Sequence, residues 1–161
     1  MNYNDYSMYK AMKNILYINT LMGRGGAAKV AYDLFKNLKD HDFTTKFLTS
    51  KIFSDVQDKD IIDYLNPADK EAVIKKLEQR TGLLDFFNFK SYTLCNLKEF
   101  KQADIVHLHN MHGRYFSPLA MLYLINKPLI WTLHDEQSFT GHCAWTFDCK
   151  NGRLDVSIVT I

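Results

Sequence analysis

The apolar and polar positions of the first fifty residues predict a strand, a helix and a second strand. Residues 13–20 are a short apolar run rich in Ile, Leu and Tyr, which is typical of a buried strand, and residues 43–50 return to the same composition. Between them, five apolar residues recur at helical spacing opposite a polar face: Val30, Ala31, Leu34, Phe35 and Leu38. We therefore predict an amphipathic helix of about 12 to 14 residues and one crossover unit of a parallel sheet.

The same alternation continues through the rest of the chain. Asn66 and Pro67 at the start and Gly82 beyond the end bracket another predicted helix. Further strands are predicted over 103–110 and 128–134, and further helices over 86–100 and 117–125. Strands that alternate with helices predict an α/β fold, namely a Rossmann-like, doubly wound parallel sheet in a single domain.

Composition and charge narrow the classes of function. The chain has 161 residues, 47% of them hydrophobic, and a net charge of +2 with its basic residues scattered among acids. It lacks the basic stripe of a nucleic-acid-binding protein, so we expect no nucleic-acid partner. The sequence has neither the apolar segment of a signal peptide nor one long enough to cross a membrane, and its three cysteines are too few for a disulfide framework. We therefore expect a cytoplasmic protein.

A glycine-rich loop follows the first predicted strand. Gly23, Gly25 and Ala28 match the dinucleotide-binding pattern G-x-G-x-x-A at the start of a helix. A nicotinamide site also needs an acid at the end of the second strand, where this chain has Lys51, so an NADP-dependent oxidoreductase is a minor alternative. A plain turn is another. We favour a phosphate or diphosphate at the helix N-terminus, where free N–H groups attract anions.

Polar residues follow the third and fourth predicted strands, at the edge of the sheet where ligands of such folds bind. His134 ends a strand beside Asp135, and a neutral imidazole there can bind hydroxyl groups or move protons. The other candidates at this edge are His109, Asn110 and His112. Arg114 and Lys51 are either phosphate partners or solvated surface residues. A single pocket holding the candidates of this edge together with the glycine loop is expected.

A metal site is the weaker interpretation of the histidines and cysteines. His142, Cys143 and Cys149 lack the short C-x₂₋₄-C pair and the fourth ligand of a structural zinc site. His107 and His109 lie two residues apart in a predicted strand and therefore share a face, where one of them can simply pack against a covering helix. We predict no metal and no tightly bound cofactor.

Three blocks of sequence, in this order, resemble the amino-terminal half of family 4 glycosyltransferases of the GT-B fold, of the capsule and exopolysaccharide type. They are ILYINTLMGRGGAAKVAYDLFKNL, ADIVHLHNMHGRYFSPL and PLIWTLHDEQSFTGHCAWTFDC, and with their linking segments they span residues 14–150. The resemblance implies retaining transfer of a sugar from a nucleotide-sugar to a polysaccharide or lipid-linked acceptor, without a metal. It implies that Gly25 and Gly26 receive the donor diphosphate, that His134 lies near the transferred sugar, and that His109, Asn110, His112 and Asp135 line the acceptor side.

The resemblance ends near Lys150. Family members have a second, donor-binding domain with two glutamates separated by seven residues, and no two glutamates of this chain have that spacing. We therefore expect residues 1–150 to form the acceptor-side domain, residues 151–161 to be a divergent tail, and the polypeptide to be inactive alone. The alternative is a stand-alone binding or assembly module that pairs with a partner chain over the cleft face. Contact with a membrane surface through lipid-linked acceptors stays open.

Overall fold

The structure, a computed structural model, describes residues 13–41, 43–53, 56–65, 72–83, 85–140 and 144–145. Within these ranges, strands alternate with helices. The strands are β1 (Asn14–Met22), β2 (Thr44–Ile52), β3 (Ile61–Asp63), β4 (Ile105–Leu108) and β5 (Leu129–Trp131). The α-helices are α1 (Gly26–Asp40), α2 (Ala72–Thr81), α3 (Phe89–Tyr92), α4 (Lys98–Gln102) and α5 (Gln137–Thr140), and 3₁₀-helices cover Leu94–Asn96 and Pro118–Tyr123.

The five strands form one parallel sheet in the order β3-β2-β1-β4-β5. In the central strand β1, Leu16 pairs with Lys46 of β2 on one side and with Val106 of β4 on the other. The order reverses direction at β1, and this arrangement is typical of Rossmann-like folds, whose ligands bind beyond the carboxyl ends of the strands. The predicted α/β, Rossmann-like parallel sheet is therefore confirmed.

Strand β1 is buried on both faces, as parallel strands usually are. Ile15 and Tyr17 belong to a cluster on the face that α1 covers, where the Tyr17 ring stacks on Phe47 and meets Phe35 edge-on, each at a centroid distance of 6.0 Å. Leu16 and Ile18 point to the opposite face, into a larger cluster. That cluster also contains Leu48, Leu94, Phe100, Val106, Leu108, Tyr115, Phe116, Ala120 and Leu124.

Helix α1 has 15 residues and so runs slightly longer than predicted. Its buried residues are Ala28, Ala31 and Phe35, and the last two belong to the core cluster with Tyr17 and Phe47 of the sheet. Val30 and Leu34, predicted on the same apolar stripe, are 44% and 37% exposed. The apolar face of α1 is wider than its contact with β1 and β2, so Val30 and Leu34 at the edge of that face remain at the surface.

Three segments differ from the prediction. Strand β3 was not predicted, since it has only three residues and too short a pattern to show a period of two. The helix expected over 86–100 is divided into α3, a 3₁₀ turn and α4, because Leu97 has an extended backbone (ψ 145°) between the last two. In the segment expected as a helix over 117–125, a 3₁₀-helix covers Pro118–Tyr123, and its N-cap Ser117 and Ala120 are buried three residues apart.

Several predictions fall outside the described residues. The Asn66 and Pro67 start of the second helix lies there, although that helix ends at Thr81, just before Gly82 as predicted. The cysteines and histidine of the weak zinc alternative and the tail from residue 151 also lie there. None of the helices in the described ranges has the length and apolar character needed to cross a membrane.

Candidate functional site

A cavity of about 850 Å³ opens at the carboxyl ends of β4 and β5. All five residues predicted at this edge line it: His109, Asn110, His112, His134 and Asp135. Arg114 lines it too, and the apolar part of its wall includes Leu83, Phe86, Met111, Phe116, Met121, Trp131 and Leu133. A largely apolar wall with a few converging polar groups is typical of ligand sites in such folds.

Thr20, near the end of β1, holds the loop that follows β4. Its hydroxyl lies within donating distance of the carbonyl oxygens of Asn110 (3.0 Å) and His112 (2.8 Å). Gly113 follows with φ +107°, and a Cβ there would lie 3.0 Å from Thr20 Cγ2. Both the positive φ and the close approach require glycine. The Asn110 N–H donates to Asn19 Oδ1 at 3.1 Å, which fixes the other end of the loop.

His109 and His134 form a hydrogen-bonded pair across neighbouring strand ends. The distance from His109 Nδ1 to His134 Nε2 is 2.9 Å. His109 is only 1% exposed, whereas His134 is half-buried at the cavity wall. Burial lowers the pKa of His109 to about 3, helped by the nearby His107 and His134, and burial also lowers the pKa of His134. Both imidazoles are therefore neutral near pH 7.

The pair belongs to a larger group of stacked rings. His107 and His109 share a face of β4, as predicted, with ring centroids 4.4 Å apart, and Tyr17 of β1 contacts both rings at 5.1 and 5.9 Å. His107 Nε2 lies 2.8 Å from the Thr132 hydroxyl. Burial, and then the neighbouring His134, lower the pKa of His107. Three uncharged rings therefore pack against one another next to His134.

A second imidazole pairs with the acidic residue of the site. His112 Nε2 lies 2.6 Å from Asp135 Oδ2, and the other oxygen of this carboxylate accepts the N–H of Gln137 at 3.1 Å. The carboxylate therefore orients the His112 ring and fixes the start of α5. A histidine held by a carboxylate can bind a hydroxyl group or take a proton from it.

The glycine loop lines a separate concavity of about 420 Å³ with Arg24, Lys29 and Tyr32. Gly25 is the N-cap of α1 with φ +92°, and no side chain caps the helix. Among the described residues, no atom lies within 4 Å of a Cβ placed at Gly25 or Gly26, so these residues leave both backbones open to a ligand. The first turn of α1 carries no acid, which leaves its N-terminus attractive to an anion.

Two cations stand beside this loop. The Arg24 guanidinium and the Lys51 ammonium lie 5.4 and 5.0 Å from the centre of the Phe53 ring. Lys51, the basic residue noted at the end of the second predicted strand, is thus near the glycine loop and contacts the same aromatic ring as Arg24. The expected single pocket is divided in two, however, because the two concavities share no lining residue.

Sequence reasoning missed the residues that support the site. Thr20 hydrogen-bonds the backbone of the loop after β4, and the Trp131 indole N–H donates to the His109 carbonyl oxygen at 2.8 Å. Both side chains support the backbone of the site, and no sequence motif identifies them. Tyr17 was interpreted only as part of a buried strand. Within the described ranges, no group of three or more His, Cys, Asp or Glu residues is placed to hold a metal ion.

Comparison with curated proteins gives a distant match to "Putative colanic acid biosynthesis glycosyl transferase WcaC" of Escherichia coli (strain K12). The two sequences are 24% identical over 155 residues, which cover 85% of this chain and 37% of that protein. This chain therefore spans little more than a third of the relative's length. No family model and no solved structure matches the chain. The match is a distant relationship that supports a glycosyltransferase role.

Proposed function

We propose that this chain forms the acceptor-side part of a retaining glycosyltransferase of family 4, with the GT-B fold. The enzyme would move a sugar from a nucleotide-sugar to a hydroxyl group of a polysaccharide or lipid-linked acceptor. The name of the distant relative, a glycosyl transferase of colanic acid biosynthesis, supports the class of reaction. The blocks of sequence that resemble family 4 support the finer assignment.

The observation that carries the proposal is the histidine-lined cavity at the carboxyl ends of β4 and β5. Sugar and acceptor hydroxyl groups are bound through hydrogen bonds, and the lowered pKa of His134 keeps its imidazole neutral and able to form them. Asn110, His112 and Asp135 add an amide and a carboxylate–imidazole pair on the same wall. We assign His134 to the transferred sugar and the other three, with His109 behind them, to the acceptor side.

We assign the donor diphosphate to the glycine loop. Gly25 and Gly26 have no side chain to keep an anion away from the first N–H groups of α1, and Arg24 and Lys51 add positive charge beside them. The remaining contacts to the nucleotide-sugar would come from outside the described residues. Catalysis needs groups preorganised around the reacting atoms, so we expect residues 13–145 to bind the diphosphate weakly and to transfer little sugar alone.

Charge reversal at the helix N-terminus tests this assignment. In Gly26→Asp, the added carboxylate suits the dipole of α1 and should leave the melting temperature unchanged or raised, yet it should repel a diphosphate. We expect calorimetric titration with UDP and GDP to give an affinity about 5- to 30-fold lower than for the wild type, equivalent to roughly 1–2 kcal/mol.

Gly26→Asn is the matched control, because it has the same size without the charge and should lose much less affinity. Equal affinity in the wild type and Gly26→Asp would refute the diphosphate site, and so would a wild type that binds neither nucleotide. A titration with NADPH in the same experiment tests the oxidoreductase alternative, which predicts that NADPH binds and that the nucleoside diphosphates do not.

A binding module that pairs with another chain is the second candidate. The observation that favours it is the exposure of Leu122, Tyr123 and Ile125, at the end of the second 3₁₀-helix, to 63%, 53% and 67%. Apolar surface of this kind often marks an interface. Light scattering over a range of concentrations tests it: a mass that rises above 18.8 kDa supports a self-associating module, and a constant monomer mass opposes it.

A further inference from the structure

Among the described residues, only one of the two ring nitrogens of His109 has a hydrogen-bond partner. Its Nδ1 lies 2.9 Å from His134 Nε2, whereas its Nε2 is buried and has no hydrogen-bond partner among the described residues. A neutral imidazole carries a single N–H, on one nitrogen or the other. The burial of His109 therefore makes the position of this proton a structural question with two possible answers.

The two arrangements differ in whether a donor or an acceptor of His109 is left without a partner among the described residues. If the proton of His109 were on Nε2, a buried N–H would lack an acceptor, and such orphaned donors are rare in folded proteins. If the proton is on Nδ1, it is donated to His134, and the buried Nε2 is left with only a lone pair. The second arrangement requires His134 Nε2 to act as an acceptor.

The choice at His109 determines the tautomer of His134. Because its Nε2 lone pair accepts from His109, a neutral His134 must carry its own proton on Nδ1. No described residue hydrogen-bonds that Nδ1, and the ring is half-buried at the wall of the 850 Å³ cavity. Among the described residues, therefore, nothing competes with a ligand for the hydrogen of Nδ1.

We infer that His109 is a positioning residue that donates its Nδ1–H to His134 Nε2 and so makes His134 Nδ1 a hydrogen-bond donor to the ligand. His134 then binds an oxygen lone pair, such as that of a sugar hydroxyl group or a phosphoryl group, and removes no proton from it. This role in sugar binding rests on the proposed function, whereas the two tautomers are properties of the unliganded chain.

Long-range ¹H–¹⁵N correlation spectra of the full chain, labelled with ¹⁵N-histidine, test the inference without any substrate. Among the signals of the six histidines, those of His109 and His134 are identified by their loss in His109→Asn and His134→Gln, respectively. Near neutral pH, we expect His109 and His134 both to show the pattern of the Nδ1–H tautomer. An Nε2–H pattern for His109, or for His134 in the wild type, would overturn the inference.

A matched pair of variants tests whether His109 sets the tautomer of its neighbour. In His109→Asn, the side-chain amide can place an N–H near the position of Nδ1, and His134 should keep its Nδ1–H tautomer. In His109→Leu, which has nearly the same shape but no donor, His134 should lose that single pattern and show Nε2–H in part or in full. An unchanged His134 spectrum in His109→Leu would refute the positioning role, and if that variant does not fold, the wild-type spectrum decides.

The outcome is independent of the nucleotide titration. Nδ1–H tautomers in a chain that binds no UDP or GDP would leave the proton arrangement intact and refute the proposed function. Binding of the nucleotides by a chain with the opposite tautomers would do the reverse.

Discussion

Tyr17 buries a hydroxyl group for which the described residues offer no hydrogen-bond partner. Its ring lies in the core against Phe35 and Phe47, and burial raises the pKa of the phenol to about 12. Since an unpaired hydroxyl is costly to bury, Tyr17→Phe should keep the packing and remove the cost. We expect the free energy of unfolding to stay the same or to rise by about 1–2 kcal/mol, measured by urea denaturation.

Tyr92→Phe is the control for this prediction. The Tyr92 hydroxyl donates to the Phe86 carbonyl oxygen at 3.1 Å and lies 2.7 Å from the Ser117 hydroxyl. Removing it breaks bonds that the fold uses, so stability should fall by about 0.5–1.5 kcal/mol. If Tyr17→Phe loses as much as Tyr92→Phe, then the Tyr17 hydroxyl has a partner after all and the prediction is wrong.

Individual residues also show which parts of the site could be predicted from the sequence. Strand ends identify the five polar residues of the cavity, because parallel strands finish at one edge, and a period of two places His107 and His109 on one face. The contact between His109 and His134 depends on the pairing of Leu108 with Trp131. A hydrophobic pattern leaves such a register open, so the burial of His109 and its bond to His134 could not be predicted.

Among the elements, the glycine loop before α1 offers a comparison of two adjacent residues. A methyl group at Gly25 or Gly26 would meet nothing within 4 Å, so neither substitution to Ala creates a clash. Only Gly25 has a positive φ, of +92°. Gly25→Ala should therefore cost on the order of 1–2 kcal/mol of backbone strain, whereas Gly26→Ala should be neutral or slightly stabilising.

Thermal unfolding of the two variants measures this difference. We expect a clearly lower melting temperature for Gly25→Ala and one at or above the wild-type value for Gly26→Ala. Equal melting temperatures would mean that the loop relaxes to a negative φ at little cost. That result would also weaken the argument that the loop is held open for a diphosphate.

Length and periodicity explain which elements the sequence predicts. β1, α1 and β2 each have nine residues or more, and all three were predicted to within a few residues. The three residues of β3 are recognisable only through their pairing with Phe47, Leu48 and Thr49 of β2. Tertiary contacts likewise determine where the 3₁₀-helix begins, at Pro118. The N–H of the preceding Ser117 donates to Ser91 Oγ at 3.0 Å, and its hydroxyl group donates to the Phe86 carbonyl oxygen at 3.1 Å.

In the molecule as a whole, ring contacts among Tyr17, His107, His109 and His134 connect three neighbouring strands, β1, β4 and β5. The three imidazoles are uncharged near pH 7. Burial lowers the pKa values of His107, His109 and His134 in the folded state. The unfolded chain therefore binds more protons than the folded chain once the pH falls below the ordinary value of 6.5. Asp60 and Asp104 also have lowered pKa values, because Lys39 and the backbone N–H of Asn14, respectively, hydrogen-bond their carboxylates.

These two sets of groups act in different pH windows, which makes the contribution of the histidines measurable. The free energy of unfolding should fall as the pH drops from 6.5 towards the folded pKa of His109, about 3, because in this range His109 gains its proton in the unfolded state and stays neutral in the folded state. The contribution of the two aspartates is lost only below their ordinary value of 3.8. Between pH 6.5 and 3.8, the urea concentration at the midpoint of unfolding should fall steadily for the wild type and less steeply for His109→Asn. A slope for His109→Asn equal to that of the wild type would refute a neutral, buried His109.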